Sequence, residues 1–384
     1  MAVAPADGGA RVVAVDWMRG LVMVLMTIDH ASEFFNSGRF RGDSAYLVPL
    51  QETSTSALQF LTRNVTHLCA PSFVFLAGLS IALSVAKREA RAQRTVVIDA
   101  HLVGRALTLF GCEAFLSLLA PGHHVLLQVL WAIGFAILAS VLTRRLSISM
   151  QVALATLWLV GSEALTLQLS PPGAEPSTPA LMFLVPGHQG AVMSLYPALP
   201  WLAIFVLGQA FGHWSIEARR IEPERVARRL FQFAALGLLV FFVVRFVDGY
   251  GNMGLYRGDD GQQGGLASAL RWLHVSKYPP SLSFVALEVG LMALLLALFE
   301  GLALRRAARV REHGLLVVLG RTALFYYMLH FIVLGAALAL SGLEEGSLGL
   351  GASYALAIAC VLLLYPLCRA YLAFERRTRG ARTG

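Results

Sequence analysis

The chain has 384 residues, 57% of them hydrophobic and 14% charged, with a mean hydropathy of +0.65. A soluble domain carries about a quarter charged residues, so this composition excludes an ordinary soluble enzyme and indicates an integral membrane protein. The formal charge of +8 points to membrane sidedness rather than to nucleic acid, because Lys and Arg sort to one side of a bilayer.

A membrane-spanning helix needs about 20 mostly apolar residues. Ten segments qualify in chain order, near 12–34, 61–86, 103–120, 125–143, 149–169, 195–214, 230–248, 281–303, 315–340 and 351–373. They predict an all-α protein of about ten transmembrane helices in one bundle. Residues 1–11 form a short tail, 12–373 a single polytopic domain and 374–384 a basic tail. The first segment carries Asp16 and Arg19 where a signal peptide has its apolar run, so a cleaved leader is not expected.

Charge sets the orientation. The connections with Lys87, Arg88, Arg91 and Arg94, with Arg144 and Arg145, with Arg219 to Arg229, and with Arg305 to Arg311 are basic, as is the end of the chain. They alternate with connections poor in Lys and Arg, which places every basic connection and both termini in the cytoplasm. The opposite side carries the long loops near 35–60, 170–194 and 249–280, of the length that is often functional. His123, His124 and His188 fall in outer loops near the interface.

Ionisable side chains within a span are costly, so they usually face the bundle interior and mark a functional path. Asp29 and His30 lie in the outer half of span 1, Arg63 and His67 in the first turns of span 2, Glu288 about two turns into span 8, and His330 past the middle of span 9. His30, His67 and His330 thus share a depth, which does not fix whether they meet. Arg19 and His30 are eleven residues apart, so on a continuous helix they share a face within about 20° and lie roughly 16 Å apart along the axis. Asp29 adjoins His30 in sequence, and such neighbours do not face each other on a helix. Glu288 is a partner for a buried base or a contact to substrate. Tyr196, Trp201, Lys277 and Tyr278 stand where interfacial anchors belong. The glycines of "FLAGLS" and "LGLGA" suit close helix packing. Cys69, Cys112, Cys360 and Cys368 show no CxxC spacing and read as free thiols; no HExxH pattern supports a metal, and none is expected.

The motifs "VDWMRGLVMVLMTIDH", "THLCAPSFVFLAGLS", "YPALPWLAIFVLGQAFG", "KYPPSLSF" and "LGRTALFYYMLH" together resemble the bacterial relatives of heparan-α-glucosaminide N-acetyltransferase, over about residues 11–371. The first also resembles the opening helix of the wider transmembrane acyltransferase superfamily, whose acyltransferase-3 branch carries an Arg, ten residues and a catalytic His, a spacing that Arg19 and His30 match. The resemblance implies transfer of an acyl group, by expectation acetyl, from cytoplasmic acyl-CoA to a hydroxyl or amine, on a glycan or small sugar, at the outer face of a bacterial inner membrane. His30 is then the base or a transient acyl carrier, and Arg19 a grip on a CoA phosphate. Arg63, His67, His330, Glu288 and Asp29 line the acceptor or oxyanion side. Expected partners are membrane lipids and the extracytoplasmic acceptor, with no nucleic acid; a homodimer is compatible. The alternative is a proton-coupled secondary transporter using Asp29, His30, His67 and Glu288 as a relay.

Overall fold

The computed structural model describes residues 12–47, 56–120, 125–255, 265–305 and 312–380. His123, His124 and residues 1–11 lie outside them. The order is α1 (Val13–Phe35), α2 (Ala57–His67), α3 (Cys69–Glu89), α4 (Thr95–Leu119), β1 (Val125–Leu127), α5 (Val129–Thr143), α6 (Ile148–Leu169), α7 (Thr178–Phe183), β2 (Gly187–Gln189) and β3 (Val192–Ser194). There follow α8 (Ala198–Ile221), α9 (Glu224–Val247), α10 (Leu266–Leu273), α11 (Leu282–Arg305), α12 (Leu315–Arg321), α13 (Ala323–Ser341) and α14 (Leu350–Gly380).

Eight of these helical runs, counting Ala57–Glu89 as one, are long and apolar enough to cross a membrane. The chain is an all-α, multi-pass membrane protein. The two other expected spans are helices as well, but α1 carries Asp16, Arg19, Asp29 and Glu33, and α5 has only 15 residues. The fourth segment is shorter than its apolar run suggests because residues 125–127 form β1, which pairs parallel to β3, while β2 pairs antiparallel to it. His188 sits exposed in β2. The ninth segment is broken at Thr322, which adopts φ −107°, ψ 23° between α12 and α13 and whose hydroxyl donates to Val318 O at 3.0 Å.

The described residues sort into two compact units. The first takes residues 41–47 and 70–294. Its core includes Val74, Phe75, Leu130, Trp201, Phe205 and Phe284, all buried. Helices α3 and α8 approach to backbone contact there: a Cβ on Gly78 would stand 2.0 Å from Phe205 O, and one on Gly208 2.1 Å from Phe75 O. The glycine of "FLAGLS" therefore serves the close packing expected of it. Those of "LGLGA" do not, since Gly349 and Gly351 have nothing within 4 Å. In the last turn of α9, the Arg245 guanidinium ties the long loop after it. It donates to Trp272 O at 2.9 Å, Arg271 O at 2.9 Å, Asn252 Oδ1 at 2.9 Å and Leu255 O at 3.2 Å.

The second unit takes residues 12–40, 56–69 and 295–380. Here α1 is the central helix, packed on α12, α13, α14 and α2. Two small residues let α1 and α12 touch: a Cβ on Gly20 would meet Leu316 O at 2.1 Å, and one on Gly320 would meet Asp16 O at 1.9 Å. The buried face of α1 recurs as Met18, Val22, Met26 and Asp29, the three-to-four-residue period of a helix side turned to its neighbours. The four cysteines are free thiols, Cys112 half-buried and the others buried.

Candidate functional site

The second unit brings together two of the three histidines. The outer half of α1 presents His30 to α13, where His330 Nε2 lies 2.7 Å from His30 Nδ1, with ring centroids 5.0 Å apart. The Phe331 ring packs on His30 as well, centroids 4.2 Å apart. His330 is fully buried, whereas His30 keeps part of its surface open.

The hydrogen-bond pattern assigns the protons. His330 Nδ1 lies 3.3 Å from the carbonyl oxygen of Tyr326 one turn back, and a carbonyl only accepts. His330 Nδ1 is then the donor and its Nε2 the acceptor. In the neutral pair, His30 therefore donates from Nδ1 to His330 Nε2, which leaves His30 Nε2 with a lone pair. Tyr326 is itself held. The Thr27 hydroxyl donates to Met23 O at 2.9 Å, so the Tyr326 hydroxyl donates to Thr27 Oγ1 at 2.6 Å. Thr27 and His30 lie three residues apart on α1, on one side of the helix.

Asp29 takes no part in that chain. Its carboxylate accepts from Arg63 Nη1 at 2.6 and 2.8 Å, from the Thr66 hydroxyl at 2.8 Å and from Arg39 Nη2 at 3.1 Å. Arg39 also donates to the Asp29 carbonyl at 2.7 Å and pairs with Glu33 at 2.6 Å. Asp29, Arg63 and Arg39 are nearly buried, and a buried carboxylate is tolerable only when so engaged. Beside them, the Asn36 and Gln59 amides exchange hydrogen bonds at 2.7 and 3.0 Å. The end of α1 is thereby fixed to α2. His67 is buried in the last turn of α2, next to Thr66.

Arg19, eleven residues before His30 on the continuous helix α1, keeps about a quarter of its side chain exposed and has Nη1 3.9 Å from Asp16 Oδ1. Glu288 belongs to the first unit. It is fully buried on α11, its Oε2 has no hydrogen-bond partner among the described residues, and Lys277 is the charge that acts on it. Lys277 is buried too, with Nζ 5.0 Å from the Tyr278 ring centroid. Of the two readings of Glu288, the partner for a buried base has a named neighbour.

The expected anchors are corrected by the same region. Tyr196, Trp201, Lys277 and Tyr278 are all buried inside the first unit, whereas an interfacial anchor needs access to lipid headgroups. The Tyr196 ring lies 4.7 Å from Trp201 and 5.5 Å from Tyr278, and the two tyrosine hydroxyls are 3.4 Å apart. These side chains build an aromatic core around a polar pair.

Arg39, Thr66 and Tyr326 were not legible as site residues. Arg39 alone left a trace: it is one of the few basic residues in an outer connection otherwise poor in them. Among the described residues no group of three or more His, Cys, Asp or Glu is placed to hold a metal ion.

No curated protein matches the chain. The family described as heparan-alpha-glucosaminide N-acetyltransferase, catalytic, matches residues 11–246. That stretch contains Arg19, Asp29, His30, Arg63 and His67, and stops short of Glu288 and His330. With more than half of its length matched, this multi-pass membrane chain belongs to the heparan-alpha-glucosaminide N-acetyltransferase catalytic family.

Proposed function

We propose that the protein transfers an acyl group, acetyl by family, from acyl-CoA to a hydroxyl or amine, with His30 Nε2 as the general base. The observation that carries this reading is the His30–His330–Tyr326 hydrogen-bonded chain, in which His30, a part-exposed residue, holds its proton on Nδ1 and keeps the lone pair on Nε2. An imidazole titrates near neutral pH and suits proton transfer.

The step balances as follows. His30 Nε2 takes the proton of the acceptor O–H or N–H as that atom bonds to the thioester carbonyl carbon. Collapse of the tetrahedral intermediate breaks the C–S bond, and the leaving sulfur takes the proton back from Nε2. While His30 is an imidazolium, its Nδ1–H bond to His330 becomes charge-assisted and stronger. His330 therefore orients His30 and stabilises its charged form. Asp29, Arg63, Arg39 and Thr66 hold the helix end that carries His30, in place of touching the acceptor. Arg19, part-exposed and three turns from His30 toward the basic side, suits a phosphate of the donor.

The basic connections mark the cytoplasmic face; the family resemblance then implies a donor from the cytoplasm and an acceptor, a glycan or small sugar, at the outer face of a bacterial inner membrane. The transporter reading needs Asp29 and Glu288 in one relay with His30. Asp29 is instead engaged by two guanidiniums and a hydroxyl.

The test uses the full chain in proteoliposomes with acetyl-CoA inside and a mixture of amino sugars outside, reading thiol release and acyl transfer. Thiol release that falls by about 10²–10⁴ in His30→Ala, the usual worth of a general base, supports the proposal. Equal turnover in a folded His30→Ala removes His30 from it. Solute flux that needs a proton gradient and no acetyl-CoA replaces it with transport.

A further inference from the structure

Helix α14 carries one side-chain row with an unusual order. Leu362, Pro366, Arg369, Ala373 and Arg376 are offset by 4, 7, 11 and 14 residues from the first, so all fall within about 40° of Leu362 around the helix. Read toward the basic end, the row passes from a lipid-exposed leucine to a proline, then to two arginines separated by about 10 Å along the axis. A cavity of about 470 Å³ opens along it, lined by Pro366, Arg369, Ala373 and Arg376 with Glu312 and His313 opposite.

The charges in this cavity are unequal. Arg376 Nη2 pairs with Glu312 Oε2 at 2.7 Å, the one carboxylate in the lining. Arg369 has no carboxylate partner among the described residues; its guanidinium lies 5.8 Å from the Tyr365 ring centroid. Tyr365 is fixed in turn, its hydroxyl donating to His313 O at 2.6 Å. Pro366 lacks the N–H that would bond the Leu362 carbonyl. Pro366, Ala370, Leu372 and Ala373 make the walls apolar, and Leu362, one turn before Pro366 on the same row, is 67% exposed.

We infer that this groove is a binding site for one anionic phospholipid, its phosphate on Arg369 and an acyl chain along Leu362 and Pro366. Guanidinium pairs well with phosphate, and basic pockets on the cytoplasmic side of transmembrane helices take anionic headgroups. A soluble phosphate compound would satisfy Arg369 but leave the leucine and proline walls uncovered. The shape asks for a ligand that is anionic at one end and apolar at the other.

The experiment uses the full chain purified in detergent and stripped of lipid, with no acyl-CoA turnover in the readout, so it stands apart from the proposed activity. Phosphatidylglycerol and phosphatidylcholine are titrated while the apparent Tm is followed, and retained lipid is counted by native mass spectrometry. Phosphatidylglycerol is expected to raise the Tm more than phosphatidylcholine, with one copy retained. Arg369→Ala is expected to lose most of that difference, whereas Arg220→Ala, an exposed arginine on α8, keeps it. Equal effects of the two lipids, or an undiminished preference in Arg369→Ala, overturn the site. Displacement of phosphatidylglycerol by CoA or inorganic phosphate would overturn the lipid in favour of a soluble phosphate ligand.

Discussion

The orienting role of His330 is open to a graded test with His330→Leu and His330→Gln. Leucine fills the space but accepts nothing, so His30 loses the partner that holds its proton on Nδ1. A net neutral hydrogen bond contributes about 0.5–1.5 kcal/mol, which biases the two imidazole tautomers by roughly 2- to 13-fold. A hydrogen bond to a charged group contributes about 1.5–3 kcal/mol, and only the excess over the neutral bond lowers the chemical barrier. That excess, about 1–1.5 kcal/mol, is a further 5- to 13-fold in rate. Together they give a fall in kcat of roughly 10- to 150-fold for His330→Leu. The KM for acetyl-CoA should barely move, because His330 is buried and sits behind His30. Glutamine offers an oxygen acceptor at a similar reach and is expected to recover part of the loss. Steady-state kinetics in proteoliposomes across pH would read this, since a freed His30 also shifts the acidic limb of the kcat profile. A folded His330→Leu with kcat within twofold of wild type would refute the reasoning.

Removing the Asp29 carboxylate should act on the fold before the chemistry. Asp29→Asn leaves Arg63 and Arg39 facing a neutral amide, and breaking such a buried pair costs about 3–5 kcal/mol; an unchanged melting curve would argue against the cluster as the fixing point of α1. Gly320→Ala sets a methyl 1.9 Å from Asp16 O and should destabilise by about 1–3 kcal/mol or more, whereas Gly335→Ala on α13 has nothing within 4 Å and should be silent. Equal behaviour of the two variants in thermal unfolding would remove the contact of α1 with α12 from the account. In the outer loop of the first unit, His274 Nε2 donates to Gly42 O at 2.6 Å. Burial holds the His274 pKa below its ordinary value, so the unfolded chain takes the proton first as pH falls. Its stability contribution is thus complete above about pH 6.5 and fades as pH drops toward the lower folded value. His274→Gln should flatten the Tm-against-pH curve in that window, and identical curves would contradict this.

Much of the architecture was legible because hydropathy records burial in lipid directly. Each of the ten apolar segments holds helix. The errors are local: an apolar run cannot distinguish β1 from the first turn of α5, nor show the break at Thr322. The shared depth of His30 and His330 was readable from helix rise, but their 2.7 Å approach depends on how α1 and α13 pack laterally, which periodicity does not encode. Asp29 was readable as pointing away from His30; its partner Arg39 was hidden because the pairing crosses a loop. Tyr196, Trp201 and Tyr278 misled because an amphipathic ring serves an interface and a core equally well. Hydropathy alone does not separate the two.

The most direct measurement is a density map of the full chain with a non-hydrolysable acetyl-CoA analogue in which a methylene replaces the thioester sulfur. The acyl carbonyl carbon is expected within about 4 Å of His30 Nε2, close to a near-attack distance, with a donor phosphate against Arg19. An acyl group ending away from His30, or His30 turned so that Nδ1 faces it, would contradict the account.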